Sequence, residues 1–151
     1  MRSITSDELK TIQLDLLQKT ADFCEKNGLR YFLCGGTLIG AIRHKGYIPW
    51  DDDIDIAMPR PDYERFVKSF NQPDNYYQVA CIKTDPNYSY AFAKVYDNRT
   101  ILKELHYKGT IGAYIDVFPA DGVKNVYQIY KIKLLHNRRS EERFSRNAET
   151  D

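Results

Sequence analysis

The sequence has few features of exported, membrane-embedded or nucleic-acid-binding proteins. No run of about 18 apolar residues suggests a membrane span, and the first residues lack the apolar segment of a secretory signal. The sequence also lacks a large excess of either charge, because it has 22 basic and 21 acidic residues. We therefore expect a cytoplasmic protein with no transmembrane segment and no nucleic-acid partner.

Cysteine is scarce as well. The three cysteines, Cys24, Cys34 and Cys81, form an odd set without metal-type spacing. Cys24 and Cys34 lie among apolar neighbours, as buried free thiols commonly do. This usage indicates a reducing compartment. No nucleophilic cysteine is expected, because a lowered thiol pKa needs an electrostatic setting that none of the three has locally.

The length and composition predict one globular domain. With 151 residues, 42% of them hydrophobic and 28% charged, the chain is long enough to bury one core. It has no internal repeat, low-complexity tract or linker. We expect the domain to span residues 1–137 and the polar tail 138–151 to fray.

Two helices have clear signals. Thr5 and Glu8 form a capping box, after which apolar residues recur at helical spacing until Asn27 and Gly28. Pro61 suits the first turn of another helix, whose apolar stripe includes Phe66. The remaining pattern predicts helices over 37–45 and 126–135, a buried strand over 29–34, and strands over 53–58, 76–82, 90–96, 100–107 and 112–118. This order predicts an α/β (α+β) fold with a mixed β-sheet flanked by helices.

The aspartates at 51–55 are the strongest chemical signal. Alternate side chains of a strand share a face, so Asp53 and Asp55 are expected to project together, joined by Asp51 if the strand begins early. Asp116 stands between two apolar residues of a second predicted strand and would complete the cluster. Such carboxylates repel one another unless a cation neutralises them, and oxygen ligands suit Mg²⁺ or Mn²⁺ better than zinc. The predicted metal ligands are Asp51, Asp53, Asp55 and Asp116.

A phosphate site is expected upstream. Gly35, Gly36 and Thr37 join a predicted strand to a predicted helix. Glycines permit close approach to the backbone, and the free amides of a helix start attract anions. Beside the acidic strand this arrangement is typical of phosphoryl transfer, in which amides hold phosphates while metal ions screen the charge.

Each of these patterns also has a structural interpretation. Acidic clusters often decorate solvated loops, although the interleaved Ile54 and Ile56 argue against a loop here. The double glycine alone is more often a plain turn. Asp116 either binds metal or caps a turn before Pro119.

The basic and aromatic residues near the acids also have two possible interpretations each. Arg43, His44 and Lys45 either bind donor phosphates or complement the negative end of their helix. Lys94 either contacts phosphate or lies on the surface. Trp50 either contributes to a cation–π site for a quaternary ammonium or anchors the loop before Asp51.

The continuous run 34–56 closely resembles the LicD family, which belongs to the nucleotidyltransferase-fold superfamily and is similar to fukutin-type transferases. The run joins a double glycine, a basic cluster, Pro49-Trp50 and the aspartates at fixed spacing, and weaker agreement extends from the first helix to about Asp121. Members of the family are considerably longer, so the resemblance also implies that the chain is truncated towards its C-terminus.

The resemblance implies a magnesium-dependent phosphotransferase with a nucleotidyltransferase-like mixed sheet. Such an enzyme moves phosphocholine, or a similar phospho-group, from a cytidine diphosphate donor such as CDP-choline. Its acceptor is a cell-surface glycan or glycolipid, such as teichoic acid, lipopolysaccharide or capsule, which would bring the protein to a membrane surface. The family's double glycine falls on Gly35 and Gly36, and its catalytic acids on Asp53, Asp55 and Asp116.

Two other functions remain open on the sequence. The same core performs nucleotidyl transfer to small molecules, in which the nucleoside monophosphate is attached rather than released. A non-catalytic nucleotide- or glycan-binding module would bind the donor without consuming it.

Overall fold

Within the described residues, helices and strands alternate as far as α3, and the elements that follow are strands. The computed structural model describes residues 3–72, 75–102 and 110–122. The predicted helix over 126–135, the tail 138–151 and most of the predicted strand over 100–107 lie outside these residues, so the domain limits stay a prediction. The elements are α1 (Ser6–Asn27), β1 (Phe32–Leu33), α2 (Gly35–Arg43), β2 (Asp55–Pro59), α3 (Arg60–Ser69), β3 (Tyr77–Ala80), β4 (Ala93–Asp97) and β5 (Tyr114–Ala120).

The five strands form one mixed sheet in the order β1-β2-β5-β4-β3. The central strands β2 and β5 are parallel, and the other neighbouring pairs are antiparallel. The predicted α/β class with a mixed sheet and helices is confirmed.

Helices α1 and α3 begin where their sequence signals predicted. The Glu8 N–H donates to Thr5 Oγ1 at 3.2 Å, and the Thr5 N–H donates to Glu8 Oε2 at 2.8 Å, which completes the capping box. Gly28, at φ +60°, ends α1 in the left-handed conformation. Pro61 stands in the first turn of α3, where a missing N–H is harmless.

The main core determines which face of the sheet is left for the acidic residues. One cluster joins Leu16 of α1 and Phe66 of α3 to Ile56, Val95 and Val117 of the sheet. Because side chains alternate across a strand, the even-numbered residues of β4 and β5 lie on the opposite face. That face carries Lys94, Tyr114 and Asp116.

The buried strand predicted over 29–34 is wrong in length and in burial. Only Phe32–Leu33 is a strand, it lies at the edge of the sheet, and Phe32 is 48% exposed. Leu29 belongs to the core, but Arg30 turns to an ion pair with Asp62 at 2.7 Å. The apolar run is therefore shared between a core contact and a short edge strand.

Other predicted boundaries also shift. The strands predicted over 76–82 and 90–96 are β3 (Tyr77–Ala80) and β4 (Ala93–Asp97). Helix α2 begins at Gly35 rather than Thr37, and β2 begins at Asp55 rather than Asp53. Strand β5 continues past Pro119 to Ala120. Proline is tolerated there because, among the described strands, β4 pairs with β5 only as far as Val117, so Pro119 lacks a ladder partner on that side.

None of the described helices is both long and apolar enough to cross a membrane. The cytoplasmic location stays a prediction.

Candidate active site

Three charged residues line up across the centre of the sheet. The strand register pairs Asp55 of β2 with Asp116 of β5, and Asp116 with Lys94 of β4. We call Asp55, Asp116 and Lys94 the cross-strand row. Two of the predicted acids, from distant parts of the sequence, are thus neighbours. The alternative role of Asp116 as a turn cap is wrong, because Asp116 lies inside β5.

Lys94 is buried beside Asp116. Its Nζ lies 2.8 Å from Asp116 Oδ1, and the two side chains are only 3% and 15% exposed. Its ammonium also lies 3.4 Å from the Tyr114 ring centroid and 4.8 Å from that of Tyr90. The surface alternative for Lys94 is therefore wrong. Its contact with donor phosphate stays a prediction.

The start of α2 packs directly against Asp55. A Cβ on Gly35 would lie 2.9 Å from Asp55 Oδ2, and Gly35 has a φ of +56°, which other residues rarely adopt. The Cys34 N–H donates to the Asp55 carbonyl at 3.1 Å, and the Asp55 N–H donates to Thr37 Oγ1 at 2.8 Å. Thr37 thus fixes the beginning of β2 against α2, a role that its prediction as a phosphate ligand did not include.

Gly36 gives the same close approach to Asp51. A Cβ at position 36 would lie 2.4 Å from Asp51 Oδ2, closer than any real contact. The double glycine therefore makes room for two carboxylates at the N-terminus of α2, whose positive end favours negative charge. Phosphate binding by Gly35 and Gly36 stays a prediction.

The aspartates before β2 form a loop rather than a strand. Asp51, Asp52 and Asp53, here called the acid loop, each offer a carboxylate oxygen within 4.8 Å of the others. Asp52 and Asp53 are exposed, whereas the next residue, Ile54, is buried. The expectation that Asp53 lies on a strand with Asp55 is wrong. Sequence reasoning did not include Asp52 in the acid cluster, because in the expected strand its side chain would point away from those of Asp51 and Asp53.

Burial and mutual repulsion raise the pKa values of two acids. Desolvation, followed by repulsion from Asp55 and Asp51, raises the pKa of Asp53. Desolvation, followed by repulsion from Asp116 and Asp51, raises the pKa of Asp55, and Lys94 offsets only part of that rise. These groups therefore hold excess negative charge that a cation would neutralise.

The residues fit a hard divalent cation such as Mg²⁺ or Mn²⁺. The donors are all carboxylate oxygens, which such ions prefer. Gly35 and Gly36, here called the glycine cradle, let Asp55 and Asp51 approach one helix start, and Lys94 offsets only part of the repulsion on Asp55. The roles of Asp51, Asp53, Asp55 and Asp116 as ligands stay predictions.

Comparison with known proteins supplies the deciding observation. The family model described as "LicD/FKTN/FKRP, nucleotidyltransferase domain" matches residues 28–147. The chain belongs to this family. The resemblance predicted from residues 34–56 is confirmed.

Relatives of this LicD-family chain include named transferases. It is 38% identical over 148 residues to the lipopolysaccharide cholinephosphotransferase LicD of Haemophilus influenzae, covering 96% of this chain and 55% of that protein. It is 45% identical over 49 residues to the ribitol 5-phosphate transferase FKRP of mouse and human, covering 30% of this chain and 10% of each relative. The chain thus spans about half the length of the bacterial relative.

A pocket adjoins the acid loop of this LicD-family domain. It has a volume of about 300 Å³ and is lined mainly by apolar side chains of α1, β1 and α2, with Lys45, Asp51 and Asp53 among its polar groups. Arg43 and His44 are exposed at the end of α2. The position of Arg43 in the last turn suits the helix-end interpretation. Lys45 is the member of the basic cluster that lines the pocket, and phosphate binding by all three stays a prediction.

Trp50 does not anchor the loop by burial. Its side chain is 83% exposed, and its ring meets His44 edge-on at 6.4 Å. The cation–π role stays a prediction.

The loop is held instead by Gln13 of α1, which sequence reasoning missed. Gln13 Nε2 donates to the Asp52 carbonyl at 2.9 Å and to the Tyr114 carbonyl at 3.2 Å. The available signal was its position three residues before Leu16, where an apolar residue is expected.

Two of the three cysteines, Cys24 and Cys34, are poor nucleophiles. Burial, followed by repulsion from Asp62 and Glu25, raises the pKa of Cys24 to about 12. Burial, followed by repulsion from Asp55, also raises the pKa of Cys34. Both thiols are therefore disfavoured as thiolates at neutral pH.

The glycine cradle gives a direct prediction. Gly36→Ala is expected to weaken Mg²⁺ binding by about tenfold, because the new methyl group must displace the Asp51 carboxylate. Isothermal titration with Mg²⁺ measures the change. Gly122→Ala is the control, since an added Cβ there meets nothing within 4 Å. Equal Mg²⁺ affinity in Gly36→Ala and the unmodified chain would contradict the expected cost of displacing the Asp51 carboxylate.

Proposed function

We propose that this LicD-family domain is a metal-dependent transferase. It moves phosphocholine or a similar phospho-group from a cytidine diphosphate donor to a cell-surface glycan or glycolipid. The observation that carries the proposal is the pairing of Asp55 with Asp116 on adjacent strands, beside the double glycine of α2. The names of the relatives, a cholinephosphotransferase and ribitol 5-phosphate transferases, support transfer of a phosphate-linked group.

Each group has a distinct role in this proposal. Asp51, Asp53, Asp55 and Asp116 would hold Mg²⁺ or Mn²⁺, which when bound supplies positive charge to screen the donor phosphates. Lys94 holds Asp116 in place through their ion pair. Lys45 lines the pocket together with Asp51 and Asp53. It is therefore positioned to attract a donor phosphate that approaches the metal held by these acids.

The products of the reaction test the proposal. The chain is incubated with Mg²⁺, a panel of cytidine diphosphate donors and a glycan acceptor, and products are followed by mass spectrometry. Release of cytidine monophosphate with a gain of phosphocholine, or a related group, on the acceptor is expected. An acceptor that gains the nucleotide itself would indicate nucleotidyl transfer. A donor that binds but is not consumed would indicate a binding module.

Metal addition and removal give a second readout. At a Mg²⁺ concentration of about 100 times Kd, the free energy of unfolding is expected to rise by about 2.7 kcal/mol and the melting temperature by roughly 5–10 °C. EDTA is expected to reverse both changes. The double variant Asp53→Asn/Asp55→Asn is the control, and a shift of the same size in that variant would contradict binding at these acids.

A further inference from the structure

Gln13 places a primary amide in the interior of the domain. The residue is 4% exposed and lies on the face of α1 that also buries Leu16. Burying an amide is unfavourable unless its donors and acceptor are hydrogen-bonded. This requirement is met, because Nε2 donates to two carbonyl oxygens and Oε1 accepts from the Tyr47 hydroxyl at 2.9 Å.

All three partners of Gln13 belong to the candidate site or its immediate supports. Asp52 is in the acid loop. Tyr114 begins β5, two residues before Asp116. Tyr47 lies in the segment that leads from α2 to the acid loop. One side chain therefore joins the acid loop to β5, the strand that supplies Asp116 to the cross-strand row.

Directly after the acid loop, the Asp116 N–H of β5 donates to the Ile54 carbonyl at 2.9 Å, and the other described contacts of the loop are local or long. The Asp51 N–H donates to the Ile48 carbonyl at 2.9 Å, which is a local turn contact. Lys10, also on α1, reaches the Pro49 carbonyl at 3.5 Å, the long limit of a hydrogen bond. The two hydrogen bonds that the Gln13 side-chain amide donates are shorter than the Lys10 contact. The one to the Tyr114 carbonyl reaches across the site to β5.

Tyr47 reinforces this arrangement. Burial, followed by repulsion from Asp53, Asp51 and Asp52, raises its pKa, so its hydroxyl stays protonated and donates to Gln13. Its ring also receives the Lys10 ammonium at 5.0 Å from the centroid. Helix α1 thus contacts Tyr47 twice.

We propose that Gln13 is a positioning residue that holds the acid loop at a fixed place relative to β5, so that the loop carboxylates and Asp116 serve one site. The metal readout of this inference rests on the proposed function. The loop readout does not.

The test compares Gln13→Leu with Gln18→Leu. Leucine removes the amide from either position, but the exposed Gln18 donates only to Asp22 one turn along the same helix in the described contacts. Hydrogen exchange of the Asp51 and Asp55 amides, which are bonded to Ile48 and Thr37, reports opening of the loop. Mg²⁺ affinity is measured by isothermal titration.

Gln13→Leu is expected to accelerate exchange at these two amides about tenfold while leaving α3 unchanged, and to weaken Mg²⁺ binding about tenfold. Gln18→Leu is expected to match the unmodified chain. Tyr47→Phe removes one of the three hydrogen bonds and is expected to give a smaller change of the same kind. It also keeps the inference testable if Gln13→Leu fails to fold.

Unchanged loop exchange in Gln13→Leu, or acceleration spread equally over α3, would overturn the inference. If the unmodified chain does not bind Mg²⁺, the proposed function fails, whereas the exchange experiment still decides the role of Gln13. If the unmodified chain binds Mg²⁺ and Gln13→Leu binds it equally well, only the positioning role fails.

Discussion

Asp55→Asn is expected to lower the rate of phospho-group transfer by about 10³-fold or more, because several kcal/mol of metal-dependent stabilisation are lost. Asparagine keeps the shape of the side chain and removes its charge. Asp55 is the acid that joins the two parts of the site, since its register partner is Asp116 and its charge interacts with Asp51. Release of cytidine monophosphate under saturating donor and Mg²⁺ measures the effect.

The same variant is expected to stay folded. The fold raises the pKa of Asp55, so the ionised carboxyl opposes folding above that pKa and ceases to do so below the pKa of the unfolded chain. At neutral pH and without metal, Asp55→Asn should therefore keep or increase the free energy of unfolding, measured with urea. Asp22→Asn, an exposed change on α1, is the matched control for activity. Full activity in a folded Asp55→Asn protein would refute the catalytic assignment.

Lys94→Met is expected to reduce the free energy of unfolding by about 3 kcal/mol. The substitution keeps a long side chain but takes the ammonium away from the largely buried Asp116 carboxylate, and losing one partner of a buried pair typically costs about 3–5 kcal/mol. We take the lower end because Asp116 retains some exposure. Urea unfolding followed by circular dichroism measures the difference.

Two further variants isolate the charge interaction. Lys83→Met removes an exposed lysine from its pair with Glu64, and should leave the free energy of unfolding nearly unchanged, because solvent screens an exposed pair. Lys94→Met/Asp116→Asn removes both charges of the buried pair, and should be more stable than the sum of the single changes predicts. Additive single and double changes would mean that the two residues do not stabilise each other.

The helical part of the fold could be predicted because its signals are local. The capping box at Thr5 and the proline of α3 act through neighbours along the chain. The strand over 29–34 could not be delimited in this way, since the run also contributes Leu29 to the core. The start of α2 was predicted two residues too late, because Gly35 adopts a positive φ in the first turn and packs against Asp55, a residue distant in sequence.

In the candidate site, too, features that depend on local sequence could be predicted, and those that depend on distant contacts could not. The acidic residues were identified from their pattern, and the neighbourhood of Asp55 and Asp116 agrees with their expected strands. The burial of Lys94 and the hydrogen bonds of Gln13 depend on residues brought together by the sheet. Such contacts cannot be predicted from the spacing of residues along the sequence. Asp52 was missed because two residues assigned to a strand belong to a loop.

The parallel pairing of β2 with β5 also constrains the order in which the protein folds. Parallel neighbours require a long crossover, and here the intervening chain includes α3, β3 and β4. Loop closure over such a separation is entropically unfavourable until the intervening elements have formed. During synthesis, a nascent chain that has not yet reached residue 114 contains every acid of the loop but has no Asp116 opposite Asp55. Assembly of the paired carboxylates is therefore a late event that follows the docking of β5.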